Sequence, residues 1–263
     1  MSPLAPSIEL SADQLTEFAE CGYLTLPGFL PPDLVAGVKA ETDRWVDDGL
    51  RARAIACCLD PEANGHPAVV EVEMPAHGGL VAYPPLLHMI SSMVQGEIVF
   101  HHLHSDRQAP DLPGKSWHHD YEQNPRTDRT YGMIHALHYL DGLDPSSAAL
   151  VVLPGSHRTI AAKSALASFG TESLPGEVVV DQLPPGSTVV LHSALFHARR
   201  ASAVGKPRYF VDASYCQVGT AWQPVKPYWR HVLRRGRELG LDEGRPELFA
   251  ERHFLEYTRP RRG

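Results

Sequence analysis

The segment Trp117-His118-His119-Asp120 carries the strongest chemical signal in this chain. In an extended stretch, residues two apart point to the same side. His118 and Asp120 can therefore share one metal ion while His119 points away. One imidazole and one carboxylate are two-thirds of a 2-His-1-carboxylate facial triad, the arrangement that holds Fe(II) and keeps positions open for a cosubstrate and O2. A distant histidine must supply the third ligand. His197 is the best candidate, lying in the strand-like run Ala194-Leu195-Phe196-His197-Ala198. A His-x-Asp pair alone arises by chance in many proteins, so this reading needs support from elsewhere in the chain.

Histidine is the outlier of the composition, with 15 residues, many of them clustered: His101, His102 and His104; His118 and His119; His135 and His138; His192 and His197. Most histidines in any protein are surface or satisfied core residues, so spacing has to select the ligands. Arg208 is the further element. After His197 the chain passes through Ala203-Val204-Gly205-Lys206-Pro207, a turn-like stretch, and enters the strand-like run Arg208 to Val218. A hairpin there would return Arg208 alongside His197, and a guanidinium fork suits bidentate pairing with a carboxylate. A dicarboxylate that chelates iron at one end and meets an arginine at the other is 2-oxoglutarate. Without the metal motif, Arg208 would read as a surface arginine at a strand start.

The elements that must position these residues change period along the chain. Residues 11–21 read as a helix, opened by the capping box of Ser11 and Gln14, striped by Leu15, Phe18 and Ala19, and ended by Gly22. A strand is expected over Tyr23–Leu26. Pro31 and Pro32 then open a helix to about Asp47, with Leu34, Val38 and Trp45 on its buried side. From residue 68 onward short strand-like runs follow: Ala68–Met74, Ile98–His104, Met133–Leu140, Leu150–Leu153, Val178–Val180, Ser187–His192 and Arg208–Val218. Turns such as Pro184-Pro185-Gly186 separate them, and one helical insertion is expected over Thr159–Ser168. The stretch Arg51–Gly65 has few regular signals and reads as a lid over a barrel mouth. The whole, residues 1–263, is expected to be one mainly β domain, a jelly-roll core buttressed by N-terminal and inserted helices.

Composition narrows the partners. A formal net charge of −7 argues against nucleic acid or an anionic membrane, since both ask for a basic surface. The basic end Arg259-Pro260-Arg261-Arg262-Gly263 reads as a solvated terminus. Cys21, Cys57, Cys58 and Cys216 have no Cys-x-x-Cys spacing, no secretory signal opens the chain, and no apolar run reaches the ~20 residues of a membrane span. A cytoplasmic protein is expected.

Taken together, four passages in order resemble the phytanoyl-CoA dioxygenase family of Fe(II)/2-oxoglutarate oxygenases. They are Glu20-Cys21-Gly22-Tyr23-Leu24-Thr25-Leu26-Pro27-Gly28-Phe29-Leu30, Trp117-His118-His119-Asp120, Leu150-Val151-Val152-Leu153-Pro154-Gly155-Ser156-His157-Arg158, and Gly186-Ser187-Thr188-Val189-Val190-Leu191-His192 followed by His197 and Arg208. The resemblance implies a double-stranded β-helix (cupin-like) fold and Fe(II) on His118, Asp120 and His197. It further implies Arg208 on the far carboxylate of 2-oxoglutarate, and hydroxylation of a small molecule, such as a natural-product intermediate, as the default reaction. Desaturation, epoxidation, cyclisation and epimerisation share its start. Pro154-Gly155-Ser156-His157 resembles a structural signature with no catalytic part. Two departures stand out: Arg199 replaces a small polar residue two places after the distal histidine, and Ser147-Ala148 replaces Asn-Gly. Halogenase relatives lack the carboxylate, and Asp120 is present.

The competing readings are a cupin-like iron enzyme that does not use 2-oxoglutarate, which would need the triad but not Arg208, and a non-catalytic β-sandwich binding module, which would need neither. Trp117, His119 and Tyr121 flank the motif, and His102, His104, His135 and His138 lie on strands that could line a barrel interior; each reads first as structural. Arg199 and Arg200 face either an anionic substrate or solvent. The oligomeric state is not legible.

Overall fold

The computed structural model describes residues 9–111, 113–121, 124–162, 169–202 and 207–259. The helical insertion expected over Thr159–Ser168 falls mostly outside them, as do most of the turn before Arg208 and the basic C-terminal end.

Helix α1 spans Ala12–Cys21. Ser11 accepts the Gln14 amide while the Gln14 side chain accepts the Ser11 amide, closing the expected capping box. Gly22 ends the helix at φ 80°, and an added Cβ there would lie 2.3 Å from the His157 ring, so both backbone and space demand glycine. Strand β1 (Tyr23–Leu26) and helix α2 (Pro32–Asp47) follow as expected, with Val38, Thr42 and Trp45 buried.

Two expectations fail in the next stretch. Residues 50–64 form helices α3 (Leu50–Leu59) and α4 (Pro61–Asn64), where few regular signals had been legible. The run Ala68–Met74 is not a strand. Glu73 turns its carboxylate back to the Val70 amide at 2.9 Å, giving a 3-10 turn over Glu71–Glu73, and Pro75 opens α5 (Pro75–Val81). The Val-Glu-Val-Glu alternation imitates a strand, but a local side-chain bond and the following proline decide it. Helix α6 (Pro84–Val94) and, near the C-terminus, α7 (Trp229–Glu238) complete the helical layer.

The remaining strands are β2 (Ile98–Gln108), β3 (Lys115–His118), β4 (Met133–Tyr139), β5 (Leu150–Val152), β6 (Val178–Val180), β7 (Ser187–His192), β8 (His197–Arg199) and β9 (Arg208–Gln217). They make two antiparallel sheets, a major one ordered β1-β7-β4-β9-β2 and a minor one ordered β3-β8-β5-β6. This is the expected jelly roll.

Alternation along the major sheet gives its faces different work. Ile134 and Ala136 of β4 and Leu140 just beyond it, with Val211, Ala213 and Tyr215 of β9, pack into the cluster containing Trp45, Leu80, Leu86 and Ile90 of the helices. The alternate residues, among them His135, Leu137 and Tyr139 of β4 and Arg208, Phe210 and Asp212 of β9, look the other way, into a cavity of about 430 Å³. Burying the outer face against helices frees the inner face to carry polar groups.

Candidate metal centre and cosubstrate pocket

His118 ends β3 and His197 begins β8, and these two residues are directly paired across the minor sheet. Their rings lie 4.1 Å apart. Asp120, two residues beyond His118, has its carboxylate 3.3 Å from His197 Nε2. Ligand atoms of all three lie within 4.8 Å of one another. The backbone sets the tautomers: His118 Nδ1 meets the Ser116 carbonyl at 2.8 Å and His197 Nδ1 meets the Leu195 carbonyl at 3.0 Å. With both Nδ1 atoms acting as donors, both Nε2 lone pairs are available to a metal. His118 Nε2 is buried with no hydrogen-bond partner, which fits an atom able to ligate a cation.

Electrostatics fit the same role. Burial and the neighbouring His197 hold His118 down at about 3, so its ring is the neutral form a metal needs. Burial works to raise the Asp120 carboxyl, but its hydrogen bond to His197 and the surrounding imidazoles hold it well below the usual carboxylate range.

His119 points away as expected: its Nε2 meets the Ala161 carbonyl at 2.8 Å and its ring stacks on Phe196. Trp117 and Tyr121 are structural, donating to the carbonyls of Glu172 and Tyr131. The Pro154-Gly155-Ser156-His157 segment supports the metal strand from behind, since Ser156 Oγ accepts the Phe196 amide next to His197.

Arg208 reaches the same cavity, but not by a hairpin. Strands β8 and β9 belong to different sheets, so Arg208 faces the metal residues across the sandwich. Its Nη1 donates to the Ala148 carbonyl at 2.6 Å, and its guanidinium lies 5.0 Å from the Tyr139 ring centre and 5.1 Å from that of Phe210. Arg208 Nε and the Tyr139 hydroxyl are both buried without partners. These two atoms line one cavity and are of the kind that could bind a carboxylate.

The other histidines divide. His102, His104 and His135 line the cavity. His138 does not; it sits on the opposite face of β4, bound to Thr188 Oγ1 at 2.8 Å, and burial holds it at about 3. His135 Nδ1 lies 2.9 Å from both oxygens of Asp212. Burial alone would lower His135, but Asp212 outweighs it and the ring titrates above its ordinary value. Sequence reasoning missed Asp212, Tyr139 and Lys115. The available signal was alternation: Asp212 is four residues from Arg208 and Tyr139 four from His135, each pair on one strand face. Arg200 turns away to Glu177, Thr171 and Ser173.

The model of the phytanoyl-CoA dioxygenase (PhyH) family matches residues 18–208. The chain belongs to this family. The matched span includes all four residues expected to carry the chemistry, His118, Asp120, His197 and Arg208. Two curated relatives, the ectoine dioxygenases of Bordetella parapertussis and Bordetella bronchiseptica, are each 28% identical over 155 residues, 57% of this chain and 50% of theirs. The chain thus spans about half the length of the curated relatives it matches. Among solved structures, EctD from S. alaskensis with bound Fe superposes with a TM-score of 0.64 at 21% identity, covering 83% of this chain and 82% of its own. HygX from Streptomyces hygroscopicus, solved with nickel and 2-oxoglutarate, gives 0.60 at 18% identity, covering 80% and 88%. The epimerase SnoN from nogalamycin biosynthesis gives 0.61 at 16% identity, covering 81% and 86%. At these identities the likeness is one of fold, and it agrees with the two-sheet topology.

Proposed function

We propose that residues 1–263 form one Fe(II)/2-oxoglutarate-dependent dioxygenase domain that oxidises a small molecule, with hydroxylation as its default outcome. The observation that carries this is the convergence, in one cavity, of two imidazole Nε2 atoms and a carboxylate facing an arginine that has no carboxylate partner among the described residues. His118, Asp120 and His197 would hold the iron, and Arg208 with the Tyr139 hydroxyl would hold the far carboxylate of 2-oxoglutarate. The bound iron and cosubstrate supply O2 activation coupled to oxidative decarboxylation.

The protein's own part is placement. Ser116 and Leu195 fix the imidazole tautomers, Asp120 offers an ionised carboxylate, and Arg208 sets the depth of the cosubstrate. Tyr139, Phe210 and Leu137 give the cavity an apolar wall beside Arg208. The family's small-molecule chemistry supports a small organic substrate. No helix among the described residues is long and apolar enough to cross a membrane, and a cytoplasmic location accords with four cysteines that form no disulfide.

The reading is tested by anaerobic visible absorption of metal-free protein titrated with Fe(II) and then 2-oxoglutarate. A charge-transfer band that is lost in Asp120→Ala and weakened in Arg208→Gln is the expected result. Iron binding with no such band would favour a cupin-like enzyme that does not use 2-oxoglutarate. Absence of iron binding would favour a non-catalytic module. The partnerless Arg208 Nε and Tyr139 hydroxyl in that cavity favour the oxygenase over both.

A further inference from the structure

Two more cations look into the cavity besides Arg208. Arg199 is two residues beyond His197 on β8 and so shares its face. Lys115 lies directly opposite it on β3. Like charges facing each other across a strand pair are destabilising, and neither residue forms an ion pair with a described residue. Arg199 gives one Nη2 bond to the Pro113 carbonyl at 3.0 Å, while its Nε is buried with no partner. The repulsion extends further. Burial, and then the charge of Arg208, lower the Arg199 guanidinium. Lys115 is felt electrostatically at both His118 and His135. The acid nearest in effect, Asp106, is already held by Arg51 at 3.0 Å.

Formal charge shows that the cosubstrate does not resolve this. The cavity is lined by three cations, Lys115, Arg199 and Arg208, and by two carboxylates, Asp120 and Asp212. A divalent iron and a doubly ionised 2-oxoglutarate cancel each other, so loading the site leaves the positive surplus in place. Arg208 stands on the major sheet, whereas Arg199 and the exposed Lys115 are paired on the minor sheet. The surplus therefore lies on the same minor-sheet wall as the metal ligands.

We infer that Arg199 and Lys115 form an anion subsite for the substrate, which is a small organic anion carrying a carboxylate or phosphate group, bound so that its uncharged part lies over the metal. Arg199 supplies a directional fork and Lys115 a mobile point charge. The two charges are left unpaired in the free protein because the substrate completes them. Arg200, the next residue, takes no part, because Glu177 already pairs with it. This inference rests on the oxygenase reading above, since it assigns Arg208 to 2-oxoglutarate.

The test uses full-length protein loaded anaerobically with Fe(II) and 2-oxoglutarate, with inorganic sulfate as the probe. Calorimetry is expected to show saturable sulfate binding to loaded wild type with the charge-transfer band intact. Arg199→Gln and Lys115→Gln should each weaken sulfate at least tenfold while half-saturation by 2-oxoglutarate stays within twofold; a retained band also reports that the variants are folded. If Arg199→Gln weakens 2-oxoglutarate as much as Arg208→Gln does, Arg199 belongs to the cosubstrate and the inference is overturned. Sulfate that fails to bind, or that binds only by displacing 2-oxoglutarate, overturns it equally. A wild type without the band defeats the oxygenase reading and this inference together, whereas a normal band without sulfate binding defeats only the second.

Discussion

One cavity holds two groups of the same residue types, His118, Asp120 and His197 on the minor sheet and His102, His135 and Asp212 on the major sheet. In each, ligand atoms lie within 4.8 Å of one another. Their hydrogen bonds separate them. In the first, backbone carbonyls take both Nδ1 atoms, and the Nε2 atoms converge on an ionised carboxylate. In the second, the side chains satisfy one another: His135 Nδ1 is spent on Asp212, and His102 Nδ1 on Ser214 Oγ at 2.6 Å. Only His135 Nε2 is left buried without a partner. Residue type and proximity do not make a metal site; what fixes the direction of the lone pairs does.

The contrast is broken or upheld most sharply by metal content. One Fe(II) per chain is expected after gel filtration, and Asp120→Ala should lower it to near zero with at least a ~1000-fold loss of 2-oxoglutarate turnover. Asp212→Ala should keep one iron; two ions in wild type falling to one in Asp212→Ala would put a metal in both groups. Next in size, Arg208→Gln should raise the 2-oxoglutarate requirement about 10- to 100-fold, the worth of a lost charge-assisted bond. The spectral titration would read that change with iron content unaltered.

His135→Gln should lower turnover about tenfold with metal and cosubstrate binding retained, because its Nε2 faces the cavity without ligating. The pair also has a pH signature in the metal-free protein. Asp212 raises His135, so its stabilisation is fully present below the unfolded value of about 6.5 and is lost as pH rises through the folded value. The urea midpoint gap between wild type and Asp212→Asn should therefore narrow as the pH rises above about 6.5; a gap that widens would contradict the assignment.

His138 should behave in the opposite sense. Burial holds it at about 3, so its contribution is present above about 6.5 and drains away as pH falls. Replacing it with asparagine should flatten the acid limb of stability by up to about 1.4 kcal/mol per pH unit. The smallest effect expected is that of Ser156→Ala, which leaves the Phe196 amide beside His197 without its acceptor. A loss of about 1 kcal/mol, or ~2–4 °C in Tm, with unchanged iron content would mark that residue as purely structural.

Local rules explain which parts of the fold could be read in advance. The capping box at Ser11, glycine at 22 and Pro32 at a helix start act within a few residues, and the structure follows them. Most strands of both sheets are legible as short strand-like runs between turns, several of them alternating, whereas β3 lies outside the expected runs. Residues 70–73 alternate as well, yet form a 3-10 turn, because the Glu73 carboxylate competes for the Val70 amide and alternation does not register such a bond. Helices α3 and α5 to α7 escaped for a different reason: packing into the core cluster shared with the major sheet stabilises them, and that sheet is assembled from distant segments.

For the site, the sequence by itself determined the chemistry on offer: a His-x-Asp pair whose members must share a face, a later histidine, and an arginine opening a strand. Backbone geometry enforces the first, and residue type the rest. Tertiary structure alone decided how the arginine meets the metal residues. Two sheets packed face to face bring β9 across from β8, where a hairpin would have set them side by side. It also decided which of two like histidine–carboxylate groups keeps its nitrogen lone pairs free, and that Arg199 looks inward while Arg200 is neutralised. The Nδ1 partners of His118 and His197 are local, but those of His135, His102 and Arg200 lie tens of residues away in the chain and are settled only when the sheets close.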